Sequence, residues 1–174
     1  MTESTAPEAL TEALTGDELA TWAAFATVLE WLPPALDAPL VRGFDLTHFE
    51  YGILYALADA PGKALRMNVL AGYANSSLSR LSRAVSRLER RGWVRRVHDP
   101  ADGRSTLATL TDEGQDVQRK ATPAHTQSVA EFVLSPLTRS QRAQLREISL
   151  RIQRAIRSQE GWQPDRDRTE PPHA

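Results

Sequence analysis

Arg80, Arg83 and Arg87 stand three and four residues apart in the run SLSRLSRAVSRLER. At 3.6 residues per turn that spacing puts all three on one helix face. A guanidinium is a planar fork of donors that matches a carboxylate, a phosphate, or the O6 and N7 edge of guanine. Ser79, Ser82 and Ser86 interleave with them and bring hydroxyls able to reach bases or phosphates. One more arginine, Arg104, follows the turn sequence DPADG. A loop tip carries no packing demand, so an arginine there is either incidental or placed to touch something. The chemistry on offer is recognition of a polyanion. Bond-making chemistry is not apparent: the chain has no HExxH, CxxC, glycine-rich phosphate loop or nucleophile elbow. Asp112-Glu113 reads as the acidic start of a helix rather than an acid/base pair. No catalytic residue, metal ligand or cofactor is expected.

The charge distribution agrees. The net charge of −1 over 174 residues hides a strong asymmetry. Residues 1–62 hold ten acidic side chains against Arg42, a net −9. Residues 63–104 hold ten basic side chains against Glu89, Asp99 and Asp102, a net +7. A basic block inside an otherwise acidic chain is the footprint of a polyanion site, or of a solvated arginine face. With no cysteine there is no disulfide framework, thiolate metal site or thiol redox switch. No apolar run is long enough to span a bilayer, and the acidic start does not read as a signal peptide, so the expected location is cytoplasmic.

The elements that must position these arginines follow from periodicity. Residues 1–14 and 159–174 read as disordered tails. Thr15-Gly16-Asp17-Glu18 has the form of a capping box, and apolar residues recur from Leu19 to Leu32 at helical spacing. Pro33-Pro34 should kink or break that helix, which resumes toward Leu40. A second helix is predicted over Thr47–Ala58 and a short one over 66–73. After a turn capped by Asn75 or Ser76, a helix runs over 77–91, with Leu78, Leu81, Val85 and Leu88 as its buried stripe and Gly92 ending it at positive φ. Residues 93–98 and 105–110 read as two strands of a hairpin. Thr111 caps a helix that Pro123 should bend, reaching about Leu134, and a last helix runs from 136 to about 158.

A short helix, a tight turn, a basic amphipathic helix and a hairpin form a winged helix-turn-helix pattern. The fold class is therefore mainly α. A helix about 10–12 Å across fits a major groove about 12 Å wide. A hairpin beside it would lie over the adjacent minor groove, whose negative floor attracts an inserted arginine. Arg104 is the expected minor-groove probe and Asp102 its orienting partner. Major-groove or nearby contacts are expected from Arg80, Arg83 and Arg87 with Asn75, Ser76, Ser77, Ser79 and Ser82. Arg66, Arg90 or Arg96 are expected to anchor phosphates. His98 reads as an edge-strand residue rather than a ligand.

At these residues the sequence resembles the MarR family of bacterial transcriptional regulators. The resemblance covers roughly residues 17–158. It is closest in LRMNVLAGYANSSLSRLSRAVSRLERRGWVRR and DPADGRSTLATLTDEG, where Asp102-x-Arg104 and Leu110-Thr111-x-x-Gly114 match the family's wing signature. It implies a domain over 15–158, with a winged core at about 47–110 and dimerisation helices at about 16–42 and 112–158. It implies a homodimer on palindromic double-stranded DNA, usually a repressor, relieved by a small aromatic or phenolic ligand. By position, Arg83 matches the recognition-helix arginine and Arg104 the wing-tip arginine. The residues point to a dimer independently. Trp22, Phe25, Leu29, Ile148, Ile152 and Ile156 exceed what a winged core needs and call for another surface. Candidate liners of a ligand pocket are Trp22, Trp31, His48, Tyr51, Tyr55 and His125, with His48 or His125 meeting an anionic ligand. The rival reading is a winged-helix protein-interaction module without sequence-specific DNA binding.

Overall fold

The structure is a computed structural model that describes residues 13–100 and 102–158, and of Gly103 and Arg104 the backbone alone. The tails expected at 1–14 and 159–174 lie outside the described residues, apart from exposed Ala13 and Leu14. Contacts divide the chain into two units, one up to Pro34 and one from Ala35. In the first, none of the described residues is buried, and Leu19, Trp22, Phe25, Leu29 and Trp31 stand exposed. These residues belong to α1 (Gly16–Phe44). Of the kink or break expected at Pro33-Pro34, the break does not occur, since α1 is assigned through both prolines. Proline's fixed φ is itself helical, and the amide bonds it deletes are few in a helix of 29 residues.

The second unit is a small helical core with a three-stranded sheet on it. Thr47 starts α2 (His48–Asp59) with a complete capping box: its hydroxyl accepts from the Glu50 amide, and the Glu50 carboxylate accepts from the Thr47 amide. Leu40, Leu46, Ile53, Leu54 and Leu57 are fully buried around this helix. A 3₁₀ turn at Pro61–Lys63 leads into β1 (Ala64–Arg66) and α3 (Met67–Tyr73). The strand β1 escapes a periodicity argument because three residues show no alternation.

The turn after α3 corrects the sequence reading. Asn75 sits at φ 46°, and the Ser76 amide donates back to the Ala71 carbonyl at 3.1 Å. Asn75 is thus the left-handed residue that closes α3 in a Schellman motif, one of the few non-glycine types that tolerate the region. The N-cap of α4 (Leu78–Arg90) is Ser77, whose hydroxyl accepts from the Arg80 amide. The buried stripe of α4 is Leu81, Ala84, Val85 and Leu88, whereas Leu78 is 52% exposed. Leu78 is the first residue after the cap and projects past the edge of the core. Gly92 ends α4 at φ 76°, with Gly92 and Trp93 amides returning to Glu89 and Leu88, as the sequence implied.

The hairpin is β2 (Val94–Asp99) and β3 (Asp102–Leu110), antiparallel, pairing Val94 with Leu110 and His98 with Thr106. β1 joins the other edge of β3, so the order is β1-β3-β2. His98 is on an exposed edge strand, as expected. Thr111 caps α5 (Asp112–Val129) by accepting from Gly114, and its own hydroxyl donates to the Gly92 carbonyl at 2.7 Å. Beyond α5 the chain adopts a π-helical segment, Ala130–Leu134, and then α6 (Arg139–Ser158). α6 buries none of its residues. Among the described residues no helix is long and apolar enough to cross a membrane.

Candidate nucleic-acid interface

The arginines of the basic block divide into those held by the fold and those left outward. Arg83 is exposed and makes no hydrogen bond or ion pair among the described residues. Arg80 is also exposed, with its guanidinium 4.3 Å over the Phe49 ring. That cation–π contact steadies the side chain, and no hydrogen bond or ion pair among the described residues takes up its guanidinium donors. Arg90 and Arg95 are exposed as well.

Arg87 is different. Its Nε donates to Glu50 Oε1 at 2.7 Å, and the Glu50 side chain is only 4% exposed. Burial pushes the Glu50 pKa up, but the Thr47 amide, the Arg87 bond, the Thr47 hydroxyl and the Arg87 charge together hold it below the ordinary value. Arg87 therefore ties α4 to α2 with part of its fork, whatever its remaining donors meet. Arg66 likewise reaches the buried Asp99 at 2.7 Å, joining β1 to the wing turn.

Arg96 departs furthest from the phosphate-anchor expectation. Its guanidinium meets Glu89 Oε2 at 2.7 Å, the Ser82 carbonyl at 2.8 Å and the Ser86 hydroxyl at 3.0 Å, with Ser82 Oγ at 3.3 Å. The wing strand is thus clamped to the side of α4. Ser82 and Ser86 turn toward this clamp. Ser77 and Ser79 pair with each other at 3.1 Å on the exposed start of α4, and Asn75 is exposed in the turn before it, with Ser76 half-buried beside it. In the wing, Asp102 accepts from the Ser105 hydroxyl at 2.8 Å. Arg104 lies in β3 by its backbone, and its side chain is outside the described residues. Glu50, Asp99 and the clamping role of Arg96 were missed by sequence reasoning. A signal existed for Glu50: Thr47-x-x-Glu50 is the same capping pattern noted at Thr15–Glu18.

A second feature lies between α2 and α5. It is a cavity of about 470 Å³, within the range of small-molecule sites. α2 supplies His48, Tyr51, Gly52 and Tyr55 at helical spacing, and α5 supplies Thr122, His125 and apolar Val129. His48 Nδ1 and His125 Nε2 are 3.1 Å apart, with their rings parallel within 6°. Tyr51 stacks on His125 at 4.3 Å and shares a hydrogen bond with Thr122. Burial lowers the pKa of His48 against an opposing pull from Asp37, and burial followed by the charge of His48 lowers that of His125. Four of the six expected liners therefore meet in one place. Trp22 and Trp31 belong to the N-terminal unit and stand exposed.

Known proteins place this geometry. The chain is similar to Sco3205 of Streptomyces coelicolor, a MarR family transcriptional regulator solved in complex with DNA. The two are 39% identical, with 87% of this chain and 95% of that one covered and a TM-score of 0.83. The chain belongs to the MarR family. A MarR-family model matches residues 43–105, the span that holds α2, the helix-turn-helix and the start of the wing. AbsC, a second MarR family regulator of Streptomyces coelicolor, is 32% identical, covers 86% of this chain and 100% of its own, and has a TM-score of 0.81. The transcriptional regulator HosA of Escherichia coli O111:H- is 40% identical over 79 residues, which span 45% of this chain and 57% of HosA. Membership makes this MarR protein a transcriptional regulator with a winged helix, not an enzyme.

Proposed function

We propose that this MarR-family chain is a homodimeric repressor that binds a palindromic operator through α4 and the wing. The observation that carries the reading is the arginine face of α4. Arg83 is exposed and unpaired among the described residues, and Arg80 is exposed and braced on Phe49 with its guanidinium donors unused there. The helix beneath them is fixed by the Ser77 cap, the Glu50–Arg87 tie and the Arg96 clamp. Such rigidity favours base reading, because little freedom of the helix itself is lost on binding. Arg104, from the strand after the wing turn, reads the minor groove, and exposed Leu78 at the start of α4 suits a thymine methyl. The relative Sco3205, itself solved with DNA, supports the same reading.

A dimer supplies the missing cover for α6, where Ile148, Ile152 and Ile156 stand exposed, and for Trp22, Phe25 and Leu29 in the N-terminal unit. Two-fold symmetry then sets half-sites about 34–36 Å apart. The cavity between α2 and α5 is the effector site, taking a small aromatic or phenolic ligand whose binding releases the DNA.

The test is fluorescence anisotropy on DNA from upstream of the chain's own gene, in rising salt, beside unrelated DNA of equal length. Tight, sequence-preferring, salt-sensitive binding is expected. Equal, weak and salt-insensitive binding to both, with no sequence enriched from genomic fragments, would overturn the reading in favour of a protein-interaction module.

A further inference from the structure

We propose that the cavity between α2 and α5 takes an aromatic carboxylate together with a proton, the proton being held by the His48–His125 pair. The inference rests on reading that cavity as the effector site and adds what neutralises the effector.

The argument begins with the walls. A carboxylate held against largely apolar side chains, partly out of water, gains from a counter-charge. The lining residues include no lysine or arginine. Of the titratable groups around the pair, α1 brings Asp37, α2 brings His48, Tyr51 and Tyr55, and α5 brings His125. Tyrosines and Asp37 can only add negative charge on ionising. The imidazoles alone can become cationic.

Hydrogen-bond stereochemistry then separates the two states of the pair. The nitrogens facing each other, His48 Nδ1 and His125 Nε2, share one hydrogen at 3.1 Å. In the neutral pair, each ring carries one hydrogen, so one outer nitrogen donates and the other is bare. Adding one proton makes both outer nitrogens donors and keeps the bridge. A carboxylate is acceptor-only, and on the protonated pair it meets a charged donor at whichever outer nitrogen it approaches. A neutral donor–acceptor group matches the unprotonated pair. Burial keeps the empty pair neutral near pH 7, while the Asp37 carboxylate, which accepts the His48 amide at 2.6 Å, favours His48 as the seat of the added charge. A second proton is opposed by the first, 3.1 Å away.

The experiment is calorimetry of benzoate binding to the full chain, with neutral benzamide as control, from pH 6 to 8 in buffers of different ionisation heat. Benzoate should bind with uptake of about one proton and weaken about tenfold per pH unit above neutrality, while benzamide stays flat. In a His48→Gln, His125→Gln double variant, which has no imidazole left at the cavity, the pH slope for benzoate should vanish. A readout without mutation is the imidazole titration by NMR, whose midpoint should rise when benzoate is saturating. Benzoate binding with no proton uptake and an unmoved midpoint would overturn the proton coupling and leave the effector site standing. Failure of both probes to bind would overturn the effector site for aromatic acids and the proposal with it.

Discussion

Glu50 and Arg87, 37 residues apart in the chain, are joined at 2.7 Å by an ion pair whose carboxylate is buried. Glu50 also caps its own helix through Thr47. One side chain thus holds the start of α2 and the outer end of α4 together. The same turn of α2 carries His48 and Tyr51 into the cavity. The helix that lines this cavity is therefore the helix that grips the arginine face.

The first prediction is a pH dependence. The folded pKa of Glu50 is lowered, so its contribution is fully present above the unfolded value and is lost as pH falls through the folded one. Glu50→Gln should reduce unfolding free energy at neutral pH by about 1–3 kcal/mol, as expected for a charged hydrogen bond. The gap from wild type should close in acid. Urea melts at several pH values check this, and a gap that is constant with pH would refute it.

Arg83 and Arg96 should fail in different ways. Arg83→Ala is expected to cost about 1–3 kcal/mol of operator binding and relax discrimination at one position, with an unchanged melting temperature. Arg96→Lys keeps the charge but cannot reproduce the fork that meets Glu89, Ser82 and Ser86. It should lower the melting temperature, and weaken operator binding with the salt slope unaltered. A salt slope reduced by about one would mean that Arg96 is a phosphate contact after all.

Gly114 has no room for a side chain. A Cβ there would lie 2.1 Å from the Trp93 carbonyl oxygen, which is backbone and cannot swing away. Gly114→Ala should destabilise by at least about 1–3 kcal/mol, through displacement of α5 from the root of the wing. Denaturant midpoints measure it, and a neutral result would show that the strand end yields easily.

The exposed face of α6 sets the fourth. Ile152→Glu places a charge on a stripe that includes Ile148 and Ile156. In a dimer closed by this face the charge is buried unpaired, so light scattering should report monomer and operator affinity should collapse. A variant that stays dimeric would move the interface elsewhere.

The sequence by itself determined the order of elements, the basic face and the turn chemistry. Helical spacing makes Arg80, Arg83 and Arg87 share a face, Gly92 can take the positive φ that ends α4, and Thr111 with its acidic neighbours can start α5. These are local matters of backbone sterics and near-neighbour geometry, decided within a few residues. What each arginine does was decided only in three dimensions. Arg87, Arg66 and Arg96 look like Arg83 in the sequence, yet each meets a carboxylate brought to it by the fold, across 37, 33 and 7 residues. Asn75 became a helix end rather than a cap, and Leu78 left the core, because packing fixed where α4 begins. The His48–His125 pair, 77 residues apart, exists because α2 and α5 pack side by side. Periodicity reports which face of a helix is polar. It carries no record of which distant group will stand opposite that face, and that group decides whether a charge is spent inside the fold or left for a partner.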